Sequence, residues 1–137
     1  MQKPEILVTG PMMKTVSQQL DVAFVMHKLW EADEETMLNE CGDRIAGIVT
    51  AGRRPVDAAL MQRLPNLKIV GNFGVGYDSV DAKWAGEHGI VVTNTPDVLT
   101  DEVADTAVGL LLMTLRQIGQ AERYLRAGRC EKDGPFQ

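Results

Sequence analysis

Cysteine is scarce in this sequence: Cys41 and Cys130 are the only two, and no metal-binding or redox spacing joins them. That excludes a disulfide framework and a metal site built on paired cysteines. Both are read as reduced thiols, with the cytoplasm as the expected compartment. Neither has a base beside it in sequence, so neither is read as a nucleophile. Basic blocks are also missing and the formal net charge is −5, which argues against nucleic acid as a partner. No apolar run approaches the roughly 18 residues needed to span a bilayer, so no membrane partner is expected. The opening residues, Met1-Gln2-Lys3-Pro4-Glu5, lack the apolar stretch of a signal peptide. What remains is 45% hydrophobic and 24% charged over 137 residues, enough for a globular domain with a real core.

The most informative stretch is Asn72-Phe73-Gly74-Val75-Gly76-Tyr77-Asp78-Ser79-Val80-Asp81. A dinucleotide-binding loop carries G-x-G-x-x-G between a strand and a helix. Gly74 and Gly76 fit the first two positions, but Ser79 holds the third. The third glycine lets helix and strand pack closely, so its loss removes the nucleotide reading. Asp78 to Asp81 reads instead as a turn into a short helix. A glycine loop of this kind still exposes backbone N–H groups, and those suit an anion.

Short apolar runs alternate with amphipathic ones along the chain. Residues 6–8, 22–26, 45–50, 67–72 and 90–93 read as strands, and 12–20, 33–41, 55–64 and 81–88 as helices. Asp33 is placed to cap the second helix, with Glu34 and Glu35 in its first turn and Gly42 as a stop. Such alternation implies parallel strands joined by right-handed crossovers. Continuous apolar strands imply cover on both sheet faces. The expected fold class is therefore α/β, with an open parallel sheet of flavodoxin-like type. Ligands in such sheets sit at the carboxyl ends of the strands. Three loops fall there: Thr9-Gly10-Pro11, Ala51-Gly52-Arg53-Arg54 and the glycine loop.

After Pro96 the character changes. Residues 101 to about 126 read as a long helix, or two broken near Gly119. Val103, Ala107, Leu110, Leu111 and Thr114 share one face, and Leu110-Leu111-Leu112-Met113 makes the segment apolar almost all round. Such a helix needs cover on every side. The rest of the sequence offers none, so a packing partner is expected. Residues 128–137 read as a polar, turn-rich connection.

Two segments in register resemble the D-isomer-specific 2-hydroxyacid dehydrogenases, in the hydroxypyruvate, glyoxylate and hydroxyphenylpyruvate reductase branch. Asn72 to Asp81 looks like that family's substrate loop. Asn94-Thr95-Pro96-Asp97-Val98-Leu99-Thr100-Asp101-Glu102-Val103-Ala104-Asp105 looks like its crossing into the cofactor domain. The resemblance implies a substrate domain over residues 1–97. Over 98–137 it implies the crossing and first helix of a Rossmann domain whose remainder lies outside this chain. It implies an NAD(P)H-dependent oxidoreductase acting on a small 2-keto or 2-hydroxy acid, with NADP or NAD as cofactor, and a homodimer formed through residues 100–126. The family's nucleotide fingerprint and catalytic arginine, glutamate and histidine have no match here. No catalytic residue is assigned, and the chain alone is expected to be inactive.

By resemblance, the amides of Val75 and Gly76, beside Gly74, hold the substrate carboxylate. The alternative is a plain strand-to-helix turn that needs glycine for positive φ. Gly52 and Arg53 are the other substrate-side candidates. Arg53 or Arg54 would attract an anion; the alternative is a solvated loop arginine. Thr100 matches a cofactor-side threonine near the nicotinamide, and it also suits an N-cap before Asp101. Ala104 and Asp105 are read as support. His27 and His88 do not match the catalytic histidine and read as surface or strand-end residues. The seven methionines are scattered and read as core filling. One reading from another class stays open: a flavodoxin-like small-acid-binding or regulatory module without catalysis. A metal-holding receiver domain is disfavoured, because Thr9 and Gly10 rather than acidic residues follow the first strand.

Overall fold

A computed structural model describes residues 3–137. The chain forms two compact units, one ending at Val98 and one beginning at Leu99. In the first, β1 (Glu5–Val8), β2 (Val25–Lys28), β3 (Ile45–Thr50), β4 (Ile69–Asn72) and β5 (Val91–Thr93) alternate with α1 (Lys14–Ala23), α2 (Glu34–Cys41), α3 (Ala58–Gln62) and α4 (Ala82–Glu87). All strand pairs are parallel, in the order β2-β1-β3-β4-β5. This is the flavodoxin-like doubly wound order, and it reverses between β1 and β3.

The main core cluster lies on one sheet face, while Ile6 and Val8 of β1 are buried on the other. Leu7, Ile48, Val70 and Val92 stand in register across four strands. They pack in one cluster with Leu38 and Cys41 of α2, Leu60 and Met61 of α3 and Ala85 of α4. On the other face α1 lies over β1 and β2, where its Lys14 and Leu20 share a surface pocket with Val8 and Met26. That face is not covered throughout, contrary to the expectation from the apolar strands. Ile69 and Val91 are 43% and 56% exposed. Apolar strands report what a face could bury, not what this chain supplies to bury it.

Helix starts follow capping chemistry. Asp33, Asp57 and Asp81 each accept from the backbone N–H three residues on, at Thr36, Leu60 and Trp84. Asp57 explains why α3 begins later than residue 55. Val56 is drawn instead into a bridge with Val80, donating to Ser79 and accepting from Asp81. The run 22–26 also divides differently. Val22 and Ala23 complete α1, which closes when the Phe24 N–H donates to Leu20, and β2 starts where Val25 donates to Pro4. An apolar run can straddle a helix end and a strand start, and composition alone does not mark the boundary. Gly42 does end α2, but in a right-handed conformation, φ −55. It is glycine for space: an added Cβ would lie 2.5 Å from the Leu38 carbonyl oxygen and 2.9 Å from that of Arg63.

Glu5 joins three elements. Its carboxylate accepts from His27 Nε2 at 2.7 Å and from Arg44 Nε at 2.9 Å. The His27 hydrogen bond, helped by Arg44, holds the Glu5 carboxyl below its ordinary value of 4.5. A lowered carboxyl stabilises the fold fully above the unfolded value and loses that contribution as pH falls through the folded one. Glu5→Gln should therefore unfold more easily than the parent chain at neutral pH. The gap should close below about pH 4.5. A constant gap across urea melts at pH 7 and pH 3.5 would refute this coupling.

The second unit is helical: α5 (Thr100–Leu115), α6 (Ile118–Arg126) and α7 (Arg129–Asp133). The break after α5 falls at Gln117, which takes a left-handed conformation, φ 52, rather than at Gly119. The tail is not a plain connection. α7 folds back so that Tyr124 Oη donates to the Gly134 carbonyl at 2.8 Å, and Phe136 meets the Tyr124 ring edge-on. No residue of α5 is buried. Among the described residues, no helix is long and apolar enough to cross a membrane.

Candidate functional site

Parallel strands deliver their following loops to one edge of the sheet. At that edge the apolar runs end on polar residues. Thr9 follows β1, Thr50 ends β3, Asn72 ends β4 and Asn94 follows β5. Thr9, Thr50 and Asn72 are buried. Thr9 Oγ1 donates to Thr50 Oγ1 at 2.9 Å, and the Gly52 N–H donates to the same Thr50 oxygen at 3.3 Å. Gly52 is left-handed, φ +73, and an added Cβ would lie 3.6 Å from Ser79 Oγ. The Gly52 loop thus lies beside the end of the glycine loop, and the Val56–Val80 bridge stitches the two segments together.

The glycine loop is tied back at its carbonyls. Asn72 Nδ2 donates to the Gly74 carbonyl at 3.2 Å and to that of Gly76 at 2.8 Å. Asn94 Nδ2 donates to the Val75 carbonyl at 2.8 Å, and the Thr95 N–H donates to Gly74 at 3.0 Å. The N–H groups of Val75 and Gly76 find no acceptor among the described residues, and both residues are exposed. Gly74 and Gly76 do not have positive φ. The alternative reading, a turn that needs glycine for its backbone angles, therefore fails at both. Contact tighter than ordinary packing is limited to the end of one side chain, Asp78, beside Gly76. A Cβ on Gly74 would lie 3.4 Å from Asn72 Nδ2, and one on Gly76 would lie 3.2 Å from Asp78 Oδ2.

Asn72 is 3% exposed, and its Oδ1 is buried without a partner in the chain. A buried acceptor left unpaired costs about 1–3 kcal/mol. Turning the carboxamide over would set its oxygen against two carbonyl oxygens, so the bonds fix its orientation. Sequence reasoning quoted Asn72 and Asn94 but gave them no role. The available signal was an amide-bearing residue closing an apolar strand next to a glycine loop.

The remaining candidates separate. Arg53 is exposed and makes no ion pair among the described residues, whereas Arg54 pairs with Glu34. Thr100 is the first residue of α5; the cap position belongs to Leu99 and no side chain caps it. The N-cap reading of Thr100 is therefore wrong. Ala104 and Asp105 lie one turn on, both exposed. His27 sits within β2 and is bound to Glu5, so it is not a strand-end residue. His88 caps α4, stacks on Trp84 at 3.7 Å and donates from Nδ1 to the Trp84 carbonyl. Cys41 is buried, and loss of water pushes its thiol up, away from the reactive thiolate. No group of three or more His, Cys, Asp or Glu among the described residues could hold a metal.

This edge, with its exposed loop amides, sits on a chain that matches the family model of the D-isomer specific 2-hydroxyacid dehydrogenase catalytic domain over residues 6–128. The chain belongs to that family. Glyoxylate/hydroxypyruvate reductase A of Arabidopsis thaliana is 41% identical over 133 residues, covering 96% of this chain and 42% of the relative. Hydroxyphenylpyruvate reductase of Plectranthus scutellarioides is 40% identical over 124 residues, covering 90% and 40%. Among solved structures, a 2-hydroxyacid dehydrogenase from Ketogulonicigenium vulgare superposes with a TM-score of 0.90 at 45% identity, over 100% of this chain and 43% of that one. The NADPH-dependent glyoxylate/hydroxypyruvate reductase of Sinorhizobium meliloti, in complex with NADP and malonate, gives 0.82 at 46% identity, over 99% and 42%. The chain thus spans about two fifths of the length of these dehydrogenases.

Proposed function

We propose that this chain is the substrate-binding portion of an NAD(P)H-dependent oxidoreductase that interconverts a small 2-keto acid and its D-2-hydroxy acid. Glyoxylate, hydroxypyruvate and hydroxyphenylpyruvate are the candidate acids, after the names of its relatives. One observation carries the reading: the carbonyls of Gly74, Val75 and Gly76 are engaged, while the N–H groups of Val75 and Gly76 are left without an acceptor among the described residues. Those two amides hold the substrate carboxylate. Gly74 and Gly52 let backbone come close, and Arg53 adds positive charge near an anion's approach. Thr100 stands on the cofactor side. It is exposed at the start of α5, where its hydroxyl can meet NADP or NAD. That cofactor supplies hydride when bound; the residues of this chain bind and orient the acid.

The domain reading goes with this: residues 1–97 as the substrate domain and 98–137 as the crossing and first helical part of a dinucleotide-binding domain. A second copy of the chain covers the apolar helices over residues 100–126. This accords with exposed Val108, Leu110, Leu111, Leu112 and Leu115, a larger apolar display than single surface residues account for.

Titration of the 15N-labelled chain with pyruvate tests the carboxylate site. Two charge-assisted hydrogen bonds support a dissociation constant of about 1–10 mM. The Val75 and Gly76 amides should shift saturably, and methyl pyruvate, which lacks the charge, should leave them unmoved. Shifts confined to surface lysines and arginines would sink the assignment.

A further inference from the structure

In a trans peptide, the carbonyl of one residue and the N–H of the next point in opposite directions. None of the described peptide bonds is cis. Whatever grips a loop carbonyl therefore aims the following amide the other way. Asn72 grips the carbonyls of Gly74 and Gly76, which aims the N–H groups of Val75 and Tyr77. Asn94 grips the Val75 carbonyl, which aims the N–H of Gly76.

The grip is anchored in the sheet. Thr50 and Asn72 are partners in the β3–β4 register, and Asn94 stands one residue beyond the last β4–β5 pair. Asn72 is buried, and its oxygen is left without a partner so that its nitrogen can reach both carbonyls.

We infer that Asn72 is the positioning residue of the anion cradle, with Asn94 as its second hand: together they turn the loop carbonyls inward and so present the amides to a carboxylate. This rests on the carboxylate reading of the loop given above. It also assigns a third donor, the N–H of Tyr77, which has no acceptor among the described residues.

The test is pyruvate titration of the labelled 137-residue chain beside N72D and N94A. The carboxylate of N72D cannot donate to either carbonyl, so affinity should fall at least tenfold at neutral pH. Lowering the pH should restore part of it, because a protonated carboxyl regains one donor while pyruvate, the stronger acid, stays ionised. A merely structural role for Asn72 would give no such recovery. N94A, altered at a part-exposed side chain, should weaken binding and shrink the Gly76 response more than that of Val75. If the parent chain responds and N72D binds pyruvate within twofold of it, the positioning role is wrong while the carboxylate site stands. If the parent chain itself shows no response at Val75 and Gly76, the carboxylate reading falls and takes this inference with it. Should N72D fail to fold, N94A decides: unchanged affinity and an unchanged Gly76 response overturn the role.

Discussion

Gly42→Ala is expected to lower the thermal unfolding midpoint by roughly 5–15 °C. The added methyl would meet the carbonyl oxygens of Leu38 and Arg63 at 2.5 and 2.9 Å. Both are backbone atoms, which no rotamer change can move aside. Relief requires shifting the end of α2 or the turn after α3, and those elements carry buried Leu38, Cys41, Leu60 and Met61. Overpacking of this kind costs about 1–3 kcal/mol. Gly86→Ala is the matched control. Gly86 lies inside α4 with nothing within 4 Å of an added Cβ, so alanine there should be neutral or stabilising by about 0.4–1 kcal/mol. Melting curves followed by circular dichroism separate the two. Equal midpoints for both variants would mean that the Arg63 turn gives way easily.

The double variant Val108→Glu, Leu111→Glu should convert a dimer into a monomer. Both side chains are exposed and lie one turn apart on α5, so their replacement takes no buried contact from the helix itself. At an interface the same change buries carboxylates without partners, at about 3–5 kcal/mol for an uncompensated charge. That weakens association at least about a hundredfold. Sedimentation velocity on the parent chain at tens of micromolar should show the dimer, and the variant a folded monomer. A parent chain that sediments as a monomer throughout would remove the dimer proposal.

Much of the fold was legible in local chemistry. β3 occupies the predicted residues because its apolar run is bounded on both sides by turn residues. Asp33 caps the helix it precedes because an Asx cap needs only short-range geometry, and Asp81, read as the first residue of its helix, serves as the cap of α4. The failures are places where a distant contact decides. Val56 looks like a first-turn helix residue but pairs with Val80, and the helix waits for Asp57. Residues 22–26 form one apolar run, which the β1 register divides between a helix and a strand. The site followed the same rule. Gly74, Val75 and Gly76 were visible as a motif. The tie from Asn72 Nδ2 to the Gly74 and Gly76 carbonyls was not, because it depends on where that carboxamide lies. Thr100 sits one position inside its helix, a difference that sequence cannot resolve when Leu99 makes no side-chain cap.

The tethering of the glycine loop to Asn72, Asn94 and Thr95 also bears on the kinetics of recognition. Ordering a free loop subtracts about 1–2 kcal/mol per residue from any binding event. Here that ordering is completed during folding, so an arriving acid meets a preorganised surface and needs no closing motion of these residues. Association at this loop should then run at the speed of encounter, and differences between acids should appear in how fast they leave. Discrimination by such a surface acts through the shape of what extends beyond the carboxylate. The carboxylate itself is common to every acid of the class.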